Sequence, residues 1–141
     1  MKADLTLEMA QKIVEAARDK STQLKIAEDI AVVDAGGNLK AFLRMDGAWL
    51  GSIDIAIRKA RTARYFDMPT EKIGPMSQPG EPLYGIEVTN GGLVTFGGGI
   101  PLKNGSGEVI GAIGASGSTV DNDVQVAEAG VAVCKAAAAH A

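Results

Sequence analysis

A run of glycines limits what this chain can fold into more than any other feature. Eleven of its 18 glycines lie between Gly85 and Gly117, most of them inside a segment that otherwise reads as strand. The segment begins Val94-Thr95-Phe96-Gly97-Gly98-Gly99-Ile100-Pro101-Leu102. It turns at Asn104-Gly105-Ser106-Gly107-Glu108 and returns as Val109-Ile110-Gly111-Ala112-Ile113-Gly114-Ala115-Ser116-Gly117. Glycine weakens a strand, so repeated use needs a reason: a bulge, a sharp bend, or close approach of a ligand or a second backbone. The pattern predicts a hairpin over 92–117 that forms the sheet centre and one wall of a site.

The elements around it follow from periodicity and punctuation. Thr6 reads as an N-cap, and Leu7, Ala10, Val14, Ala17, Ser21 and Leu24 recur at helical spacing. Residues 30–34 form a short apolar run that suits a strand buried on both faces. Ala35-Gly36-Gly37-Asn38 is a hairpin connection, and residues 39–44 return as the second strand. A second helix, capped by Ser52 or Asp54, carries small residues on its inner face: Ile53, Ala56, Ile57, Ala60 and Ala63. Pro69 ends it. A Pro- and Gly-rich stretch over 74–90 predicts a long ordered loop with a short helix near Leu83 and Tyr84. Ser118 and Asp121 have capping-box spacing, and the last helix shows Val124, Ala127, Val131, Cys134 and Ala138 on one stripe. The order is α-β-β-α-(loop)-β-β-α: strands in hairpins, helices gathered against an antiparallel sheet, an α+β fold in one domain over 1–141.

Composition excludes several function classes. A net charge of -3 and the lack of a basic block argue against nucleic acid as a partner. The start lacks an apolar signal core and no run approaches the length of a membrane span, so the expectation is a cytoplasmic protein with no membrane partner. With 4% aromatic residues there is little to build an aromatic-lined pocket. The one cysteine, Cys134, forms no internal disulfide and reads as a small core residue. The one histidine, His140, lies beside the C-terminus, which removes a Ser-His-Asp triad and any multi-histidine metal site within one chain. Gly97-Gly98-Gly99 lacks the Lys-Ser/Thr ending of a phosphate loop.

Acid–base chemistry is then left to Asp34, Arg44, Asp46, Lys59, Tyr84, Glu87 and Glu108. Arg44-Met45-Asp46-Gly47 sets a cation and a carboxylate at a strand end, where loops build sites. It reads either as a working group or as an Arg–Asp pair that fixes a turn. Arg58, Lys59, Arg61 and Arg64 read either as a solvated helix face or as cations of which one meets an anion across a cleft. The backbone around Gly97, Gly98 and Gly99 reads either as an N–H cradle for an anion or carbonyl oxygen, or as a bulge for close packing.

These residues resemble a known family. Residues 31–37 with Phe42, Arg44-Met45-Asp46-Gly47-Ala48, residues 59–63, Pro69-Thr70, Gly98-Gly99-Ile100-Pro101, residues 110–117 and residues 127–130 are similar to the GlcG/HbpS family of haem-degrading or PduO C-terminal-like domains. The resemblance covers nearly the whole chain. It implies a profilin-like five-stranded antiparallel sheet flanked by helices, with the fifth strand near residues 85–89 or 96–99. It implies homo-oligomers from dimers to octamers, and association with haem or with corrinoid metabolism. Haem-binding members tend to carry a histidine in the first helix. Here the region reads Glu15-Ala16-Ala17-Arg18-Asp19, and Met45, Met68 and Met76 would be weak substitutes as ligands. No metal ligand set is expected.

Three functions are compatible with these residues. The first is a cytoplasmic oligomer that binds a small molecule, haem- or corrinoid-associated. The second is an enzyme for a small carboxylate or enol-type metabolite. In it Asp46 and Lys59 are the catalytic candidates, and Arg44, Met45, Gly47, Thr62, Gly97, Gly98, Gly99 and Pro101 bind the ligand. The third is an oligomerisation module without catalysis.

Overall fold

The computed structural model describes residues 4–139, so His140 lies outside them. The order is α1 (Leu7–Gln23), β1 (Asp29–Asp34), β2 (Leu39–Arg44), α2 (Gly51–Phe66), α3 (Thr70–Ile73), β3 (Gly99–Lys103), β4 (Val109–Ser116) and α4 (Val120–Ala139). Two 3₁₀ turns, Gly74–Ser77 and Ile86–Val88, interrupt the long loop. The strands form one antiparallel sheet in the order β2-β1-β4-β3. The α+β expectation stands, with β4 of the glycine-rich hairpin inside the sheet and β3 at its edge.

Alternation along β1 creates two cores. Ile30 and Val32 face α1 and α4, joining Ile13, Val14, Leu102, Ile113 and Val126. Ala31 and Val33 face α2, joining Ala56, Ala60, Ala63 and Ala112. Burial on both faces explains why the strand reads as a continuous apolar run.

The second core is thin because glycine and alanine build it. A Cβ on Gly114 would sit 2.0 Å from the Ala56 carbonyl oxygen and 2.6 Å from the Ala60 nitrogen. The backbone of α2 therefore lies directly on β4. Gly130 does the same between α4 and the other core, where Ile113 and Ile13 fill the space of its missing side chain.

Some boundaries move. Thr6 caps α1, its hydroxyl accepting from the Met9 N–H at 3.1 Å. Leu7 is half exposed and Ile13 takes its place in the buried stripe. Neither Ser52 nor Asp54 caps α2. Ser52 turns inward to Ser116, and Asp54 pairs with Arg58 at 2.7 Å. At α4 the cap is Thr119, which accepts from Asn122 N–H at 3.2 Å. The buried stripe of α4 is Asp123, Val126, Ala127, Gly130 and Cys134.

The expected fifth strand is not found among the described residues. Residues 86–88 form a 3₁₀ turn, and positive φ at Gly85, Asn90, Gly91 and Gly92 keeps the chain turning there. Side chains of α2 strap this loop down: Arg58 donates to the carbonyls of Gly91 and Gly92, and Thr62 Oγ1 accepts from Val94 N–H at 3.1 Å. The outer edge of β3 is blunted as well. Gly99 N–H donates to Thr70 Oγ1 at 3.0 Å, and Pro101 has no N–H to offer.

Gly114→Val therefore tests the α2–β4 contact. Its added carbons have no space, and overpacking costs roughly 1–3 kcal/mol or more. Urea unfolding should show that loss, whereas Gly51→Ala, at a position with open space around it, should be neutral or mildly stabilising.

Candidate functional site

Several elements meet at one end of the sheet. Asp29 opens β1, opposite Arg44 at the end of β2 and Ser116 at the end of β4. The α4 N-terminus brings Asp123 there, and α2 brings Ser52 and Lys59.

Lys59 is at the centre. It is completely buried, although it belongs to the run of four cations on α2. Its ammonium donates to the Ala115 carbonyl at 2.8 Å and to Asp123 Oδ2 at 3.0 Å, and lies 5.0 Å from the centroid of the Phe96 ring. Asp123 Oδ1 accepts from Ser118 N–H at 3.1 Å, so the same carboxylate joins Lys59 to the turn that starts α4.

Glu28 lies beside this pair, also fully buried. As a carboxylate, neither of its oxygens has a donor. Burial, reinforced by the Asp123 carboxylate and opposed by Lys59, pushes its pKa up to about 9. Glu28 thus keeps its proton at neutral pH, beside the Asp123 carboxylate. Burial pushes Lys59 down, with Asp123 and then Glu28 opposing. The result is one ammonium, one carboxylate and one neutral acid, a combination that a low-dielectric interior tolerates. Asp29 is buried with both oxygens unpartnered, and burial raises its pKa against the pull of Arg44.

The structure does not bring the sequence-derived candidates to one surface. Arg44, Met45 and Asp46 line an open cleft of ≈430 Å³ with Glu15, Arg18 and Leu43. Arg44 and Asp46 form no ion pair with each other. Met45 is held by Glu28, whose N–H donates to its sulfur at 3.4 Å. Gly47 is exposed in the following turn with φ +83°. Lys59 and Thr62 are interior; the Thr62 hydroxyl donates to the Arg58 carbonyl at 2.7 Å. Gly97, Gly98 and Gly99 are buried. A Cβ at Gly98 would meet Lys59 Nζ and the Ala115 oxygen at 2.6 Å, and one at Gly99 would meet the Lys59 carbonyl oxygen at 2.3 Å. Gly98 and Gly99 make room for Lys59 inside the molecule, whereas a Cβ at Gly97 would meet Val124 of α4 at 2.7 Å. Pro101 lies at the opposite edge of the sheet, in a groove with Lys72 and Lys135. Among the described residues no group of three or more His, Cys, Asp or Glu is placed to hold a metal ion, and no helix is long and apolar enough to cross a membrane.

Sequence reasoning missed Glu28, Asp29, Asp123, Ser52 and Ser116. One signal was present: two acids directly preceding an apolar strand are costly unless something answers them.

A family model described as haem-degrading protein HbpS-like matches residues 5–132. The chain belongs to the HbpS-like family. It is 42% identical over 127 residues to a 15.0 kDa protein of the dhaT–dhaS intergenic region of Citrobacter freundii, covering 89% of each. It is 36% identical to the corrinoid adenosyltransferase PduO of Salmonella typhimurium, covering 86% of this chain but only 36% of that relative's length. Among solved structures, Klebsiella pneumoniae protein ORFY superposes with a TM-score of 0.92 at 37% identity, covering 96% of this chain and 94% of that one. A structure described as a PduOC:Heme complex superposes with a TM-score of 0.89 at 34% identity, covering 93% and 95%.

Two substitutions test the buried cluster of this HbpS-like chain. Lys59→Met leaves Asp123 buried without its counter-ion and should cost roughly 3–5 kcal/mol in urea unfolding, part of it regained by adding Asp123→Asn. Glu28 holds its proton more tightly folded than unfolded. Its contribution is therefore full below the ordinary carboxylate range and is lost as pH rises toward about 9. The melting temperature should fall from pH 6 to 8.5, and the fall should shrink in Glu28→Gln; an unchanged slope would show that Glu28 does not titrate there.

Proposed function

We propose that this chain is an oligomeric, cytoplasmic small-molecule-binding protein whose ligand is a tetrapyrrole, haem or a corrinoid. The observation that carries this reading is the likeness, over 93% of the chain, to a structure described as a haem complex. The likeness to part of a corrinoid adenosyltransferase supports the wider tetrapyrrole class.

The residues present fit the propionate side chains of a haem better than its iron. No histidine occurs among the described residues. The Met45 sulfur is turned onto the Glu28 N–H, and the Cys134 thiol is buried against the Lys103 carbonyl at 3.5 Å. Histidine ligation from the first helix, which the resemblance implies, has no donor in this chain. The corresponding segment instead supplies Glu15 and Arg18 to the cleft that Arg44 closes from β2. Among the described residues Arg44 forms no ion pair within 4 Å, and Arg18 pairs only with its neighbours Glu15 and Asp19. Two guanidinium groups around one cleft suit carboxylate arms, which they grip in bidentate fashion.

In this reading Arg44 touches ligand, Met45, Asp46 and Gly47 shape the cleft, and Lys59, Thr62, Gly97, Gly98 and Gly99 hold the sheet end that supports it. The enzyme reading draws less support, because it needs Lys59 and Asp46 to face one substrate. Exposed Trp49, Leu50, Tyr84 and Val88 are apolar area for subunit contact.

Titration with micromolar haem, and separately with cobalamin, followed by absorbance and light scattering tests the proposal. The expected result is a saturable spectral change in an oligomer, with haem binding weakened about tenfold in Arg44→Ala. No change with either tetrapyrrole overturns the function. Binding that survives Arg44→Ala together with Arg18→Ala overturns its placement.

A further inference from the structure

The sheet edge opposite the Arg44 cleft carries a second hollow of distinct character. Its volume is ≈290 Å³, at the lower end of the range for small-molecule sites. Ile100 and Pro101 of β3 and Val131 of α4 give it an apolar floor. Three lysines border it, each from a different element: Lys72 from α3, Lys103 from the end of β3 and Lys135 from α4. All three are exposed, and none of their ammonium groups has an ion-pair or hydrogen-bond partner among the described residues. The one carboxylate at the rim, Asp67, is already engaged by Arg64 at 2.6 Å.

Three unanswered cations around one small hollow are unusual in a chain whose net charge is -3. Lysines on a solvated face commonly pair with acids; these three line one apolar surface. Cation heads over an apolar floor complement a molecule with an anionic head and an apolar body. An extended peptide does not fit, because the adjoining edge of β3 offers no ladder: Gly99 N–H is taken by Thr70 and Pro101 has none.

We propose that this groove binds a small amphipathic anion, a carboxylate or phosphate head on an apolar body, with Lys72, Lys103 and Lys135 gripping the head and Ile100, Pro101 and Val131 receiving the body. The site is independent of the tetrapyrrole reading and lies at the other edge of the sheet.

Decanoate and decyl phosphate serve as probes, with 1-decanol and decyltrimethylammonium as uncharged and cationic counterparts. Binding to the full chain is followed by titration calorimetry and by the rise in melting temperature. The expected result is saturable binding of one or both anions and none of the counterparts. The stronger of the two anions identifies the head group. Lys72→Glu and Lys135→Glu should each weaken binding about tenfold, and Val131→Trp, which fills the groove, should abolish it. Lys12→Glu, on α1 and outside the groove, should leave it unchanged. Circular dichroism confirms that each variant is folded. Equal binding of decanol, indifference to both lysine reversals, or no binding at millimolar probe overturns the proposal. So does a concentration-dependent dimer that Lys135→Glu dissociates and decanoate leaves intact, since the groove would then be an interface between two copies.

Discussion

The ion pair between Lys59 and Asp123 is the interaction on which the rest of this structure depends. Burying two charges is expensive, and the cost is offset only if both are fully answered. Here the answers come from separate parts of the chain. Lys59 belongs to α2, the accepting carbonyl to β4, and Asp123 to α4. Asp123 then fixes Ser118 in the turn between β4 and α4. One ammonium thereby joins helices on opposite faces of the sheet through its open end. Glu28, kept neutral, fills the remaining space beside the carboxylate without adding a charge. The arrangement works only because Gly98 has no side chain where the lysine passes.

The same logic explains the composition of the second core. A helix that must deliver Lys59 past the sheet end has to lie close to the sheet, so its inner face is Ala56, Ala60 and Ala63, and the strand beneath it carries Gly114. The glycines that mark this chain therefore serve helix–sheet proximity first. Any ligand at the Arg44 cleft meets the outer surface of this assembly, whose inner surface is already occupied.

Much of the architecture was legible from the residues. The double burial of β1, the turn at Gly37, the Thr6 cap and the small inner face of α2 follow from local pattern, and pattern is local information. The cap of α2 was misread because Ser52 has a distant use for its hydroxyl, toward Ser116. The fifth strand was expected from a family likeness, and Arg58 and Thr62 hold that segment as a loop instead. The site was harder to see. Lys59 sits among three arginines and reads as a solvated cation. Only the strand register shows that Glu28, Asp29, Ser116 and Asp123, nearly a hundred positions apart, come to one place. Periodicity carries no information about such long-range convergence.

The blunted edge of β3 bears on how copies of the chain associate. A sheet whose two edges are both open can add strands without limit, which is the geometry of a fibre. With Thr70 seated on Gly99 and Pro101 silent as a donor, one edge is closed. Strand addition then has only the β2 side available, and a one-sided edge is consumed by a single twofold pairing. Sheet-to-sheet growth stops at two chains, so any larger assembly is built from helix and loop faces.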